Sequence, residues 1–367
     1  MIDQFHVHSY VRKWCIQNNL TLEILRTDSF GENFSPLDYL GLKELLKAKK
    51  RIVITTHRSP DGDAIGSSLG LYRFLIKRGH DVTVIIPDAA PDFLHWMHDF
   101  DKVLNHELAP DASVATVQSA DLLFSLDYNR FDRVADLGDT LRSAQVPKVL
   151  VDHHIDPSTE FEFSLSDIHA SSTAELVFRL AQGMGWLDDL DQHIAECLYA
   201  GIMTDTGSFK FSSTGADTHR VAAALIDAGL VPEKVHQAIF DTNSYERLQL
   251  LGYALTNKFE YLEQIGVSIL SLSLSEKNRF HYKKGDTEGL VNYGLSVNGA
   301  RMSIFLSEEL NITKCSFRSK GDLDVNQIAR SYFNGGGHKN AAGGRLDMKL
   351  EPALAYLKDV IENKLDL

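Results

Sequence analysis

The sequence predicts an α/β fold in which a parallel, doubly wound domain precedes a smaller α+β domain, with a cleft between them. Apolar runs of strand length alternate with helix-like segments as far as about residue 256, which is typical of βαβ units. These runs are continuous, as expected of parallel strands that are covered on both faces. Beyond residue 256 the pattern changes to two hairpins and two helices.

The elements of the first domain follow from local patterns. Strands are predicted over 51–57, 81–87, 121–127 and 148–154. The helix predicted over 64–78 has a stop signal at Gly79, and its apolar residues at helical spacing are Ile65, Leu69, Tyr72, Leu75 and Ile76. Further helices are predicted over 171–184, 191–203 and 217–256.

The second domain is predicted to begin with a hairpin over 258–273 that turns near Gly266. A second hairpin over 302–319, a helix over 325–332, a glycine cluster and a last helix over 351–364 follow. We therefore divide the chain into an N-terminal extension (1–36), a first domain (37–235), a helical linker (236–255) and a C-terminal domain (256–367).

Composition narrows the class of protein. The net charge of −13 over 367 residues disfavours binding to long duplex nucleic acid. No apolar run approaches the roughly 18–20 residues of a membrane span, and the first residues, MIDQFHVHSYVRKW, lack the pattern of a secretory signal. The three cysteines lie far apart without zinc or disulfide spacing, so we expect reduced thiols and a cytoplasmic protein without a membrane partner.

Acids and histidines cluster at the predicted strand ends. His57 ends the first strand, Asp127 the third, and Asp152, His153 and His154 the fourth. In an open parallel sheet these ends share one rim, where ligands bind. Asp61 and Asp63 flank Gly62, which we expect to permit a tight turn toward that rim, and Asp205 in GIMTDTGSF offers another carboxylate.

Each of these features has an ordinary explanation when it is taken alone. A DGD sequence is usually a turn, a strand-end Asp is usually a helix cap, and a pair of histidines is usually solvated or hydrogen-bonded. Several such features on one rim instead predict bound cations, because uncompensated carboxylates packed together would be destabilising. An Asp/His set without cysteine suits Mn²⁺, Mg²⁺ or another borderline metal better than structural zinc.

The motifs SPDGDAIGSS, LD (126–127), VDHH and TDTG, in this order, resemble those of the DHH phosphoesterases. GGGHKNAAGG (335–344), preceded by SFRS (316–319), resembles the DHH-associated C-terminal domain of that family. The resemblance covers about residues 37–350 and is strongest to the nano-RNase and pAp-phosphatase subgroup. It implies a catalytic first domain and a substrate-binding C-terminal domain.

The resemblance also implies a role for each residue. Two divalent ions are expected, most readily Mn²⁺, with Mg²⁺ and Co²⁺ left open. One ion would be held by His57, Asp61 and Asp127, and the other by Asp63, Asp127, His153 and Asp205. Asp127 would bridge the ions, Asp152 would orient a neighbouring histidine, and His154 would face the substrate and assist the chemistry.

The glycine cluster and its neighbours have their own physical interpretation. Three consecutive glycines permit close approach of the backbone to a ligand, and a helix beginning near His338 would favour a phosphate at its N-terminus. The alternative is a glycine-rich turn beside a surface arginine. The predicted substrate contacts are Arg301, Arg318, Ser319, Gly335, Gly336, Gly337 and His338.

The predicted function is hydrolysis of short oligoribonucleotides to mononucleotides and of 3′-phosphoadenosine 5′-phosphate (pAp) to AMP, by two-metal activation of water. Hydrolysis of cyclic or linear dinucleotides, such as cyclic di-AMP, is the first alternative. A pyrophosphatase or exopolyphosphatase is the second, and a nucleotide sensor is the non-enzymatic one. The sequence leaves the preferred substrate and the formation of a homodimer open.

Overall fold

The computed structural model describes residues 38–365; the predicted extension at 1–36 lies outside them. The first domain contains a six-stranded parallel sheet. Its strands are β1 (Arg51–Thr55), β2 (Asp81–Ile86), β3 (Leu104–Asn105), β4 (Leu122–Leu126), β5 (Lys148–Asp152) and β6 (Phe163–Ser166). The strand order β3-β2-β1-β4-β5-β6 confirms the doubly wound prediction.

The four predicted strands of this sheet are present, and β3 and β6 are short edge strands that the sequence did not indicate. Nine α-helices accompany the sheet among the described residues. They are α1 (Tyr39–Leu45), α2 (Gly62–Lys77), α3 (Pro110–Ser119), α4 (Leu137–Ser143), α5 (Thr173–Met184), α6 (Gln192–Asp205), α7 (Ala216–Asp227), α8 (Pro232–Phe240) and α9 (Tyr245–Asn257).

Helix α2 lies at the centre of this domain. It begins at the predicted DGD sequence, where the Asp61 side chain accepts hydrogen bonds from the backbone N–H groups of Asp63 and Ala64. This is ordinary N-capping. Nearly every residue from Gly62 to Leu75 is buried, because the helix packs against β1 and against both α5 and α6. The carboxylates at its N-terminus therefore have fixed positions.

The second part of the chain forms a mixed six-stranded sheet in the order β11-β12-β10-β9-β8-β7. Only the β8–β9 pair is parallel within it. Its strands are β7 (Phe259–Leu262), β8 (Val267–Leu272), β9 (Met302–Glu308), β10 (Thr313–Ser319), β11 (Gly336–His338) and β12 (Ala341–Leu346). Its helices are α10 (Leu274–Arg279), α11 (Leu290–Leu295), α12 (Val325–Tyr332) and α13 (Leu350–Asn363). Both predicted hairpins are present, and Gly266 has the left-handed conformation of a turn (φ 65°).

Helix α9 packs its buried Leu250 and Ala254 into an apolar cluster with Leu270, Leu290 and Phe305 of the second sheet and its helices. The boundaries of the proposed linker stay a prediction. Within residues 38–365, no helix is long and apolar enough to cross a membrane.

Candidate active site

His57, Asp61 and Asp127 converge at the point between β1 and β4 where the strand order of the parallel sheet reverses. Strands β1 and β4 are neighbours, and His57 and Asp127 follow their carboxyl ends. His57 Nε2 lies 3.2 Å from Asp127 Oδ2 and 3.9 Å from Asp61 Oδ2. His57 Nδ1 lies 2.9 Å from the Arg58 carbonyl oxygen. A hydrogen bond from Nδ1 to that carbonyl leaves Nε2 to face the acids, which is the usual orientation of a metal-binding histidine.

Asp63, Asp127, His153 and Asp205 form a second group around the His153 ring. His153 Nε2 lies 3.5 Å from Asp205 Oδ2, 3.6 Å from Asp127 Oδ1 and 3.9 Å from Asp63 Oδ2. Its Nδ1 lies 3.3 Å from the Ala170 carbonyl oxygen. Asp127 thus faces His57 with one carboxylate oxygen and His153 with the other. The six predicted metal ligands are brought together in the two predicted sets.

Asp63 is held by the N-terminus of α5, which the sequence did not single out. The backbone N–H groups of Thr173 and Ala174 donate to its two carboxylate oxygens at 2.7 and 2.8 Å. The Thr173 hydroxyl also donates to Asp127 Oδ1 at 3.1 Å. Thr173 therefore positions two of the carboxylates, and only its place at a helix start next to Ser171 and Ser172 could have indicated it.

Gly62 does not act as a turn residue. It is the first residue of α2, and a Cβ at this position would lie 2.4 Å from Thr204 Oγ1. Glycine is needed here because the backbone lies against Thr204 at the end of α6, next to Asp205, and leaves no room for a side chain. The expectation of a special backbone turn at Gly62 is therefore wrong, because the segment is an N-capped helix.

The electrostatics of the cluster fit divalent cations. Burial and the charges of Asp127 and Asp205 raise the pKa of Asp63 well above its usual range. Burial raises the pKa of Asp205 to about 7, although His153 opposes this shift. Burial would lower the pKa of His57, but the hydrogen bond and charge of Asp127 outweigh it and raise that pKa to about 9. Carboxylates that resist joint ionisation, beside histidines whose Nε2 atoms face them, form a donor set that a divalent cation stabilises by displacing the shared protons.

Asp152 and His154 form a separate pair beside these groups. Asp152 is fully buried, and its Oδ1 lies 2.7 Å from His154 Nδ1 while its Oδ2 accepts the His154 backbone N–H at 3.1 Å. Both contacts fix the orientation of the imidazole. Burial lowers the pKa of His154 despite Asp152, so the ring is neutral near pH 7, with Nε2 as its free nitrogen.

His338 reaches these histidines from the second sheet. Its ring centroid lies 4.6 Å from that of His154, in a stacked arrangement, and 4.7 Å from that of His153. Burial and the positive charge of His153 lower the pKa of His338 to about 2. Arg318 is half-buried nearby, where burial lowers its pKa against the opposing charges of Glu288, Asp205 and Asp61.

The glycine cluster is a strand, which corrects the expectation of a helix N-terminus near His338. Gly336–His338 form β11, paired with β12. A Cβ at Gly335 would lie 1.9 Å from the Gly343 carbonyl oxygen, and one at Gly337 would lie 2.5 Å from that of Ala341. These two glycines are required by the approach of the chain to its own neighbouring strand, whereas Gly336 has nothing closer than 3.6 Å.

Ser319 and Arg301 have contacts of other kinds. The Ser319 hydroxyl donates to the Leu323 carbonyl oxygen at 2.6 Å and accepts from Asn340 Nδ2 at 2.9 Å, so it braces a loop. Arg301 is exposed at the edge of β9, where its backbone contacts Gly266 and Lys320. A role in substrate binding stays a prediction for both.

Comparison with known proteins agrees with this arrangement. The DHH family N-terminal domain matches residues 51–202, and the DHHA1 domain matches residues 266–363. The bifunctional oligoribonuclease and PAP phosphatase NrnA of Thermus thermophilus is 31% identical over 330 residues, which cover 88% of this chain and 93% of that protein. The cyclic-di-AMP phosphodiesterase PdeA of Listeria monocytogenes is 27% identical over 343 residues, covering 88% of this chain and 49% of that protein.

A crystal structure of an exopolyphosphatase-related protein from Bacteroides fragilis is 35% identical and has a TM-score of 0.85. The match covers 91% of this chain and 98% of that one. The DHH domain is followed along the chain by the DHHA1 domain, and one relative at 31% identity is matched over almost its whole length. The chain therefore belongs to the DHH family, and it is a hydrolase of phosphoester bonds.

Proposed function

We propose that this protein hydrolyses short oligoribonucleotides to mononucleotides and pAp to AMP. The observation that carries the proposal is that Asp127 faces both ligand sets while His338 of the second sheet stacks on His154 beside them. Such a site joins a phosphoester-cleaving centre to a second surface that can hold the rest of a small nucleotide. The match to the NrnA protein over 88% of this chain supports the same substrates.

The proposed metal ligands are the residues of the two sets, with Asp127 shared. Mn²⁺ is proposed as the ion because carboxylates outnumber imidazoles in the cluster. Two such ions, when bound, lower the pKa of a water and stabilise charge on the phosphoryl oxygens. Asp63 and Asp127 are kept in position by Thr173, so we expect the shared carboxylate to need little rearrangement on binding.

The remaining residues orient the substrate. Asp152 holds His154 through Nδ1, and we propose that His154 Nε2 contacts the scissile phosphate or the leaving oxygen. We propose that Arg318 pairs with a phosphate remote from the scissile bond, because the planar guanidinium can donate two parallel hydrogen bonds to two phosphate oxygens. The net charge of −13 supports short substrates that are bound locally rather than long duplexes.

We propose that the protein acts in the cytoplasm, where thiols stay reduced. Both cysteines within the described residues, Cys197 and Cys315, are free and buried, which agrees with a reducing compartment. Formation of a homodimer is left open by the sequence.

The test is a substrate panel on the full chain with added Mn²⁺. Diribonucleotide, pAp, cyclic di-AMP and pyrophosphate are compared by kcat/KM, with a chelator as control. We expect the first two to be the best substrates and the chelator to abolish their turnover. A higher kcat/KM for cyclic di-AMP would instead favour the alternative that the PdeA match suggests. Turnover of pyrophosphate alone, or binding without turnover, would also overturn the proposal.

A further inference from the structure

A second group of metal-ligand side chains lies at the opposite end of α6 from the active site. His193 and Glu196 are on the first turns of this helix, and His98 approaches them from the segment that precedes Phe100–Lys102. Asp205 closes the same helix, 12 residues beyond His193. At 1.5 Å per residue the two groups are about 18 Å apart along the axis, so the group is separate from the catalytic ligands.

The ligand atoms of His98, His193 and Glu196 all lie within 4.8 Å of one another. The two imidazole rings are in contact, with centroids 3.5 Å apart. His193 Nδ1 lies 3.8 Å from Glu196 Oε2, which is too long for a hydrogen bond. This nitrogen is buried and has no hydrogen-bond partner, and such a group costs free energy unless something binds it.

The surroundings hold these side chains in place. Gln192 Nε2 donates to Glu196 Oε1 at 2.8 Å, which leaves Oε2 as the oxygen near His193. Next to His98, the Asp99 carboxylate pairs with Arg73 of α2 and with Lys102. The segment bearing His98 is therefore fixed against the helices by neighbours that are not part of the group.

We propose that His98, His193 and Glu196 bind a borderline divalent cation of the Zn²⁺ class. Two imidazoles and one carboxylate are a frequent zinc set, with water at the fourth position. A tetrahedral ion with bonds of about 2.1 Å places its ligand atoms roughly 3.4 Å apart, so a small rotation of the exposed His98 closes the set. The ion ties the 95–102 segment to the N-terminus of α6.

The test counts Zn²⁺ on the metal-free full chain by competition with a chromophoric chelator. The variants are His98→Ala and Glu196→Gln, the second of which keeps the size of the side chain. The control is His95→Ala, in the same segment, whose exposed ring stacks on Phe100 outside the group. Wild type and His95→Ala should each bind one tightly held Zn²⁺ ion more than His98→Ala and Glu196→Gln do. The affinity for that ion should fall by at least tenfold, since even outer partners of a metal site are worth about 10–100-fold.

Two further measurements complete the test. Activity after reloading with Mn²⁺ should be the same in all four proteins, because the group is remote from the catalytic ligands. Zn²⁺ should raise the unfolding temperature of His95→Ala more than that of His98→Ala. Equal Zn²⁺ counts and affinities in all four proteins would overturn the proposal. A variant that lost Zn²⁺ together with Mn²⁺-dependent activity would also overturn it, because the missing ion would then belong to the active site.

Discussion

Replacement of Gly201 by alanine should disturb Asp63 although residue 201 carries no chemistry. A Cβ at this position in α6 would lie 2.8 Å from Asp63 Oδ1 and 2.6 Å from Ala174 Cβ. Contacts of this kind need about 3.5–4.0 Å between carbon atoms, and the backbone N–H groups of α5 hold the Asp63 carboxylate in place, so it cannot easily move away. Overpacking costs typically 1–3 kcal/mol, whereas alanine gains about 1 kcal/mol over glycine in a helix. We therefore expect a net destabilisation of about 0–2 kcal/mol.

Gly252→Ala is the matched control, since Gly252 is exposed within α9 and a Cβ added there would meet open space. It should gain about 1 kcal/mol, so the two variants should differ by about 1–3 kcal/mol in the free energy of unfolding of the metal-free protein. Urea unfolding measures this difference. A Mn²⁺ titration should show binding weaker by about tenfold or more in Gly201→Ala alone, since disturbing the groups that orient a metal ligand costs about 10–100-fold in affinity. If Gly201→Ala gained stability as the control does and bound Mn²⁺ normally, close packing of α6 on α2 would not be what positions Asp63.

Three further predictions concern the ligands and the second domain. Asp127→Ala should abolish turnover and weaken the binding of both ions. Metal analysis of the purified variant measures this, and two tightly bound ions would contradict the shared role of Asp127. Arg318→Ala should lower kcat/KM for a diribonucleotide by about ten- to more than a hundredfold, which corresponds to a loss of about 1.5–3 kcal/mol of transition-state stabilisation. It should change little on bis-p-nitrophenyl phosphate, and equal losses on both would refute the remote contact. Mn²⁺ affinity, measured by calorimetry, should rise from pH 6 to pH 9, because His57 (pKa about 9) and Asp205 (pKa about 7) must lose protons to bind. Affinity independent of pH would contradict this linkage.

The convergence of the proposed ligands of the first domain could be predicted because it depends on a general property of parallel sheets. His57, Asp127 and His153 each follow a continuous apolar strand, and such strands end at one rim whatever their order. The order itself places β1 beside β4, and no local pattern contains that information. The short strands β3 and β6 were missed because two to four residues do not establish a period.

Features that depend on a partner elsewhere in the chain could not be predicted. Thr173 is significant only because α5 begins against Asp63 and Asp127, which are 110 and 46 residues away in sequence. The glycines at 335 and 337 look like a ligand-binding loop, yet the atoms that exclude a side chain there belong to β12. Local sequence shows that space is needed but not which atoms occupy it.

The charges across the site explain why the second domain supplies a charged arginine, Arg318, and a neutral histidine, His338. Without cations, Arg318 is attracted by the carboxylates of Asp61 and Asp205. Two dications held by the four carboxylates of the cluster would cancel the negative charge that faces the guanidinium, so an anion bound by both the ions and the guanidinium becomes favourable. A phosphate group has that charge, whereas a neutral ligand does not. His338 stacks on His154 in a neutral state and adds no positive charge that would compete with the ions. The same two domains can thus be drawn together by the substrate rather than by direct ion pairs at the reacting centre.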